Sequence, residues 1–172
     1  MIIEKRMNLW DNYGKIVITT NGFVKSNGCC VMGRGCAKEA VTRYPGIDKR
    51  LGELIKTYGN HVHILGRQDD GRFLITFPVK PDVVINDGTN VVAHMRNKFK
   101  IGATVPGWAA KATLEIITNS CWELRILIMN GFAEPPIHMP RPGCGAGELK
   151  WNQVKPIIEN ILGQYEIVVC HK

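Results

Sequence analysis

Residues 15–22 read Lys-Ile-Val-Ile-Thr-Thr-Asn-Gly, and a little further on residues 26–37 read Ser-Asn-Gly-Cys-Cys-Val-Met-Gly-Arg-Gly-Cys-Ala. The first stretch is β-branched through its middle and ends on Asn21-Gly22, the pattern of a buried strand that hands the chain to a loop. The second supplies that loop with glycines at 28, 33 and 35, and from Gly35 the sequence turns helical through Tyr44 until Pro45-Gly46 stops it. A strand, a glycine loop and a helix in succession form the unit from which α/β sheets are built. The Gly28-x4-Gly33 spacing copies the opening of a triphosphate loop. Arg34 and Gly35, however, stand where that loop needs its lysine and its magnesium-binding hydroxyl.

The flanking sequence repeats the alternation. Asp48 to Tyr58 carries Leu51, Leu54 and Ile55 at helical spacing, with Gly59-Asn60 as its exit. The runs His61–Leu65 and Arg72–Phe77 lie across an Asp70-Gly71 turn, which predicts an antiparallel hairpin. Residues 78–107 are broken by proline, Asn-Asp-Gly and Asn-Lys and read as a long surface excursion of the kind that serves as a binding loop or lid. Trp108 to Asn130 reads as one long helix ended by Gly131, and Ile137–Pro140 as a short strand. A second glycine-rich loop then runs from Arg141 to Glu148. The stripe Trp151, Val154, Ile157, Ile158, Ile161 and Leu162 predicts a helix with Pro156 near its first turn, and Glu166–Cys170 a last buried strand. Strands alternating with helices imply a single α/β domain over residues 1–172 with helices on both faces of the sheet.

The bulk composition narrows the partners. The formal charge of +7 favours an anionic ligand, but the basic residues are scattered rather than gathered with aromatics into a nucleic-acid groove. Six cysteines without a C-x-x-C pair read as reduced thiols of a cytoplasmic protein, and no apolar run is long enough to cross a bilayer. His61 and His63 share a strand face, yet no third or fourth metal ligand is readable, so no metal site is expected.

Two strands, ending near Asn21 and Pro140, each release a glycine loop that leads toward a helix. Glycine lets successive backbone N–H groups turn into one concavity, and a helix start adds partial positive charge, so each loop can cradle an anion. Taken singly, either loop is equally an ordinary tight turn. Placed together beyond the carboxyl ends of one sheet, they suit a diphosphate.

At Met7-Asn8-Leu9-Trp10-Asp11, at Val17–Gly22 with Val31–Ala37, and above all at Met139–Trp151, the chain resembles the macrodomain, a module that binds ADP-ribose. The likeness is greatest to the branch that includes ADP-ribose 1''-phosphate phosphatases and the terminal ADP-ribose glycohydrolase. It implies a three-layer α/β/α fold with a mixed central sheet, ADP-ribose or ADP-ribose 1''-phosphate as ligand, ADP-ribosylated protein or nucleic acid as further partners, and no cofactor. On this resemblance Asn21 meets the distal ribose. Gly28, Val31, Met32, Gly33, Arg34, Gly35 and Cys36 wrap that ribose and the diphosphate. Pro142, Gly143, Cys144, Gly145, Ala146 and Gly147 hold the diphosphate from the other side. Asn8, Leu9, Asp11 and His171 surround the adenine, with Asp11 a substitute for the aspartate usual at the place of Asn8.

The same resemblance implies hydrolysis, either of the 1''-phosphate or of an ADP-ribosyl bond, with a noncatalytic reader as the alternative. Glycohydrolase relatives use a lysine near the first helix, matched here by Val41 or Thr42, and an aspartate in the second loop, matched by Gly147. A different hydrolase branch carries an aspartate where Met32 stands. The candidates left to this chain are Asn21 as a polariser, His138 as acid or base, and Glu148 as a second base. His138 reads first as a strand histidine bonded to a backbone group, and Glu148 as an acid at a helix N-terminus. Cys29 and Cys30 read either as nucleophiles or as inert thiols.

Overall fold

A computed structural model describes all 172 residues. The strands are β1 (Ile2–Arg6), β2 (Lys15–Thr20), β3 (Ile64–Arg67), β4 (Phe73–Pro78), β5 (Val83–Ile85), β6 (Thr104–Pro106), β7 (Ile137–Pro140) and β8 (Ile167–His171). The helices are α1 (Gly35–Arg43), α2 (Ile47–Tyr58), α3 (Leu114–Met129) and α4 (Trp151–Leu162). Six strands form one sheet in the order β1-β8-β7-β2-β4-β3, with every pair parallel except β3 with β4. This is the expected mixed sheet, and the 70–71 turn forms the expected hairpin.

Both faces of the sheet are covered, because successive side chains of a strand point to opposite sides. Val17, Ile75, Phe77 and Val169 pack with Ile117, Leu124 and Ile158 of α3 and α4. Ile16, Ile18, Leu74 and Val168 pack with Ala37, Ala40 and Leu51 of α1 and α2. The central strands therefore carry apolar residues on both faces rather than alternating with polar ones, Thr20 and Thr76 being buried exceptions. The result is the three-layer α/β/α arrangement.

Several boundaries differ from the sequence reading. The long helix begins at Leu114, not Trp108: Gly107–Ala109 form a 3-10 turn after Pro106, and Thr113 caps α3 by accepting the N–H of Ile116 at 3.1 Å. Pro156 is the sixth residue of α4, where it removes an interior bond to Asn152; both residues are exposed, so water can satisfy that carbonyl. β1 was not anticipated, since Ile2–Arg6 has only two apolar residues, yet it pairs along its whole length with β8. His63 is not in solvent: its Nε2 lies 2.9 Å from the Gly59 carbonyl oxygen, while His61 Nδ1 pairs with Glu123.

The 78–107 excursion has its own small order. β5 and β6 pair antiparallel, and Val91, Val105 and Ala109 make a separate core beneath them. The segment is tied to the carboxyl end of β2 by the Gly22 N–H, which donates to the Pro81 carbonyl at 3.0 Å.

Candidate functional site

β2 and β7 are parallel neighbours, so the loops that leave them rise from the same edge of the sheet and face each other. Between them lies a cleft of two contiguous cavities, about 620 and 580 Å³ in volume, which share Gly35, Cys36, Pro140, Arg141 and Gly145 along their common border.

The first loop is shaped by Asn21. Its Nδ2 donates to the Val31 carbonyl at 2.8 Å and its Oδ1 accepts the Phe23 N–H at 2.8 Å, which leaves one amide hydrogen to face the cavity. Cys30 N–H donates to the Asp48 carbonyl at 2.9 Å and pins the loop to α2. From Met32 to Ala37 no backbone N–H meets an acceptor of the chain, and α1 begins at Gly35 without a side-chain cap. Six consecutive donors around a helix start are thus left for an anion.

The second loop repeats this. Gly143, at φ +73°, turns the chain, and the bonds Leu149 N–H to Gly143 and Glu148 N–H to Gly145 close it at 2.9 and 3.1 Å. The N–H groups of Gly145, Ala146 and Gly147 have no acceptor within the chain. Uncapped amides on both sides of one cleft form a cradle for an extended anion, and a buried unpaired N–H would otherwise carry a desolvation cost.

Lys80 lies two residues beyond the end of β4 and lines the first cavity with Asn21; its N–H reaches the Thr20 carbonyl at 3.4 Å. It is 8% exposed, and Nζ donates to the Trp108 carbonyl at 3.1 Å. Burial, with help from the Arg34 charge, lowers its pKa to about 8. His94, Met95 and Lys98 of the excursion, with Trp108 just after it, line the same cavity. Glu148 ties that segment down: its Oε2 accepts the Ala93 N–H at 2.8 Å.

The second cavity is walled by Leu9, Trp10, Leu149, Trp151 and Cys170. Arg141 stands on the border, with Nη2 donating to Glu4 at 3.1 Å and the guanidinium 5.2 Å from the Trp151 ring centroid. Glu4 also accepts Lys155 and Trp151, each at 2.8 Å, and the Lys155 bond foremost lowers its carboxyl to about 2.

No protein-family model matches the chain, and no curated protein matches it by sequence. Solved structures do match. The macrodomain of Mycobacterium tuberculosis DarG superposes with a TM-score of 0.73 at 20% identity, covering 100% of this chain and 98% of that one. The Thermus aquaticus DarG macrodomain gives 0.71 at 19%, with the same coverage. The chain has the macrodomain fold. A third similar structure is Thermosipho africanus DarTG in complex with ADP-ribose, at TM-score 0.64 and 15% identity, over 91% of this chain and 37% of that one.

In this chain the first cavity gathers Asn21, Val31, Met32, Gly33, Arg34, Gly35 and Cys36 with Gly143, Gly145, Ala146 and Gly147. Asn8, Leu9, Cys144 and His171 line the second. Gly28, Asp11, Pro142, His138 and Glu148 line neither. Gly28, at φ +87°, instead turns the loop where its carbonyl oxygen would stand 1.9 Å from a Cβ at Gly52. Asp11 is exposed at the end of a 3-10 turn, so it does not substitute for an adenine-binding aspartate. His138 Nδ1 is buried without a partner, and burial and the Lys5 charge hold the imidazole below its ordinary pKa. Glu148 precedes α4 at φ +65° and outside its first turn, so it is a tie for the excursion rather than a helix-terminal acid or a base in the cavity.

Val41 and Thr42 do not reach the cleft, and Lys80 is the amine that sequence reading missed. Its signal was the largely apolar run Phe73–Val79, followed directly by a lysine on the loop side of the sheet. Gly147 could not carry an aspartate, since a Cβ there would lie 2.5 Å from that of Ala112. Cys30 is no nucleophile, because burial raises its pKa to about 12.

Proposed function

We propose that this macrodomain binds ADP-ribose and cleaves an ADP-ribosyl bond in the first cavity. The observation that carries this is the pair of uncapped amide runs, 32–37 and 145–147, facing one cleft with the buried amine of Lys80 at its end. The diphosphate lies between the two loops, the adenosine enters the apolar second cavity, and the distal ribose meets Asn21 and Lys80. The neutral Lys80 amine attacks the anomeric carbon as its bond to the acceptor heteroatom breaks, and the lysine proton passes to that departing atom. The lysine-linked ribose opens to an imine, water adds, and free ADP-ribose and the amine are restored. The fold likeness to DarTG in complex with ADP-ribose supports the ligand.

Arg34 and Lys98 at the same cavity favour a second substrate, ADP-ribose 1''-phosphate, whose dianion they could accept. Calorimetry with ADP-ribose against AMP tests the ligand: ADP-ribose binds at least about tenfold more tightly because AMP reaches neither the second phosphate site nor Asn21. Equal affinities would refute distal-ribose recognition. Release of ADP-ribose from a modified acceptor, set beside phosphate release from the 1''-phosphate, separates the two reactions. Full affinity without either product would assign a noncatalytic reader.

A further inference from the structure

β3 runs antiparallel to β4, so the loop that enters β3 from α2 lies at the carboxyl end of β4, close to Lys80. From that loop Asn60 Nδ2 donates to the Lys80 carbonyl at 3.0 Å. No backbone N–H bonds that carbonyl. Lys80 is held at two further points, its N–H by the Thr20 carbonyl at 3.4 Å and its Nζ by the Trp108 carbonyl at 3.1 Å. Asn60 also fills the space over Gly22, where an added Cβ would stand 2.5 Å from Asn60 Cγ and 2.7 Å from Nδ2. Gly22 in turn donates its N–H to the Pro81 carbonyl at 3.0 Å. One side chain thus touches the neighbour of Asn21 and the peptide of Lys80, yet it lines neither cavity. Its Oδ1 is buried with no hydrogen-bond partner. An unpaired buried acceptor is destabilising, so packing alone does not account for an amide here. What the amide supplies is the bond to the Lys80 carbonyl.

We infer that Asn60 is a positioning residue, wedged between Gly22 and Lys80 so that it fixes the separation of Asn21 from the Lys80 amine, an inference that rests on Lys80 being the nucleophile of the proposed reaction. A side chain behind the cavity wall acts on the chemistry only through such spacing, and misplacing a reacting group by about 1 Å can slow a reaction by about 100-fold. Affinity for the ligand is set elsewhere, by loop amides whose bonds do not involve Asn60. The same anchor keeps the amine out of water. Burial is the main cause of the lowered Lys80 pKa, the Arg34 charge adds to it, and the Glu148 charge opposes it; Lys98 and Arg141 stand on the same cavity wall. Released from Asn60, the amine gains solvent and its pKa climbs from about 8 toward the ordinary lysine value.

The test sets the parent beside Asn60→Ala, Gly22→Ala and the double variant. Three quantities are read on the whole chain: single-turnover release of ADP-ribose from a modified acceptor across pH, ADP-ribose affinity by calorimetry, and the Lys80 pKa by NMR titration of its side chain. Asn60→Ala slows release by about 10- to 100-fold at neutral pH while ADP-ribose affinity stays within about threefold of the parent. Both the rise of its pH profile and the titration of the amine move up to about 9 or beyond. Gly22→Ala does the same, because its Cβ displaces the Asn60 amide, and it carries the test should Asn60→Ala not fold. The double variant is within about threefold of the slower single one, since both substitutions act through one amide. A parental rate in Asn60→Ala, a Lys80 pKa unmoved in the variants, or losses that multiply in the double variant would overturn the inference and leave the reaction standing. A parent that releases no ADP-ribose, with a Lys80 pKa that still moves in the variants, would instead refute the reaction and leave Asn60 as the anchor of the amine.

Discussion

Lys80→Ala loses about 10³-fold or more in release of ADP-ribose from a modified acceptor, while ADP-ribose itself still binds within about tenfold of the parent. The nucleophile disappears, but the amides of both loops and the walls of the second cavity remain. Lys80→Arg does not restore the rate, because a guanidinium stays charged and cannot supply a lone pair. The pH profile carries the same signature. With its pKa lowered to about 8, the amine is mostly protonated at neutral pH, so turnover rises with pH through about 8 and then levels. An unlowered lysine would place that rise near the ordinary lysine value of 10.5. Single-turnover rates from pH 6 to 9.5 measure this, and a flat profile or an active Lys80→Ala would remove the amine from the mechanism.

Gly145→Val loses at least about 100-fold in ADP-ribose affinity with an unchanged fold. Nothing lies within 4 Å of a Cβ at Gly145, and its φ is not left-handed, so the new side chain enters the shared border of the two cavities without strain. It fills the path of the diphosphate, and displacing two charge-assisted contacts costs about 3 kcal/mol or more. Gly147→Ala, two residues on, behaves in the opposite manner. Its Cβ meets Ala112 and the Gly143 carbonyl at 2.5 and 2.6 Å, so that variant lowers the unfolding temperature first. Calorimetry and thermal unfolding on the two variants separate an obstructed site from a deformed loop. Equal affinity of Gly145→Val and parent would put the ligand elsewhere.

The sheet and its two loops were legible because their signals are local. Ile16–Thr20 is β-branched, Gly33 and Gly35 follow it, and Gly143–Gly147 follow Ile137–Pro140; strand and loop each announce themselves within a few residues. That the two loops face each other depends on β2 and β7 being parallel neighbours although more than a hundred residues separate them, and this the family resemblance supplied. Lys80 escaped notice for the same reason. Only the parallel pairing of β4 with β2 carries the lysine to Asn21, and along the chain it opens a stretch broken by prolines. Trp108 misled in the other direction. Its apolar neighbours suggested a helix, but Pro106 and Gly107 break the chain there, where a Cβ at Gly107 would stand 1.7 Å from the Pro81 carbonyl oxygen. His138 was attractive as a residue type, and its position in the short strand β7, away from both cavities, denies it the chemistry.

A crystal structure of the protein with ADP-ribose tests the account most directly. The N–H groups of Gly33 to Cys36 and those of Gly145 to Gly147 are expected within about 2.7–3.2 Å of phosphate oxygens, one run on each side of the diphosphate. A diphosphate held by one loop alone, or seated outside the cleft between β2 and β7, would contradict it.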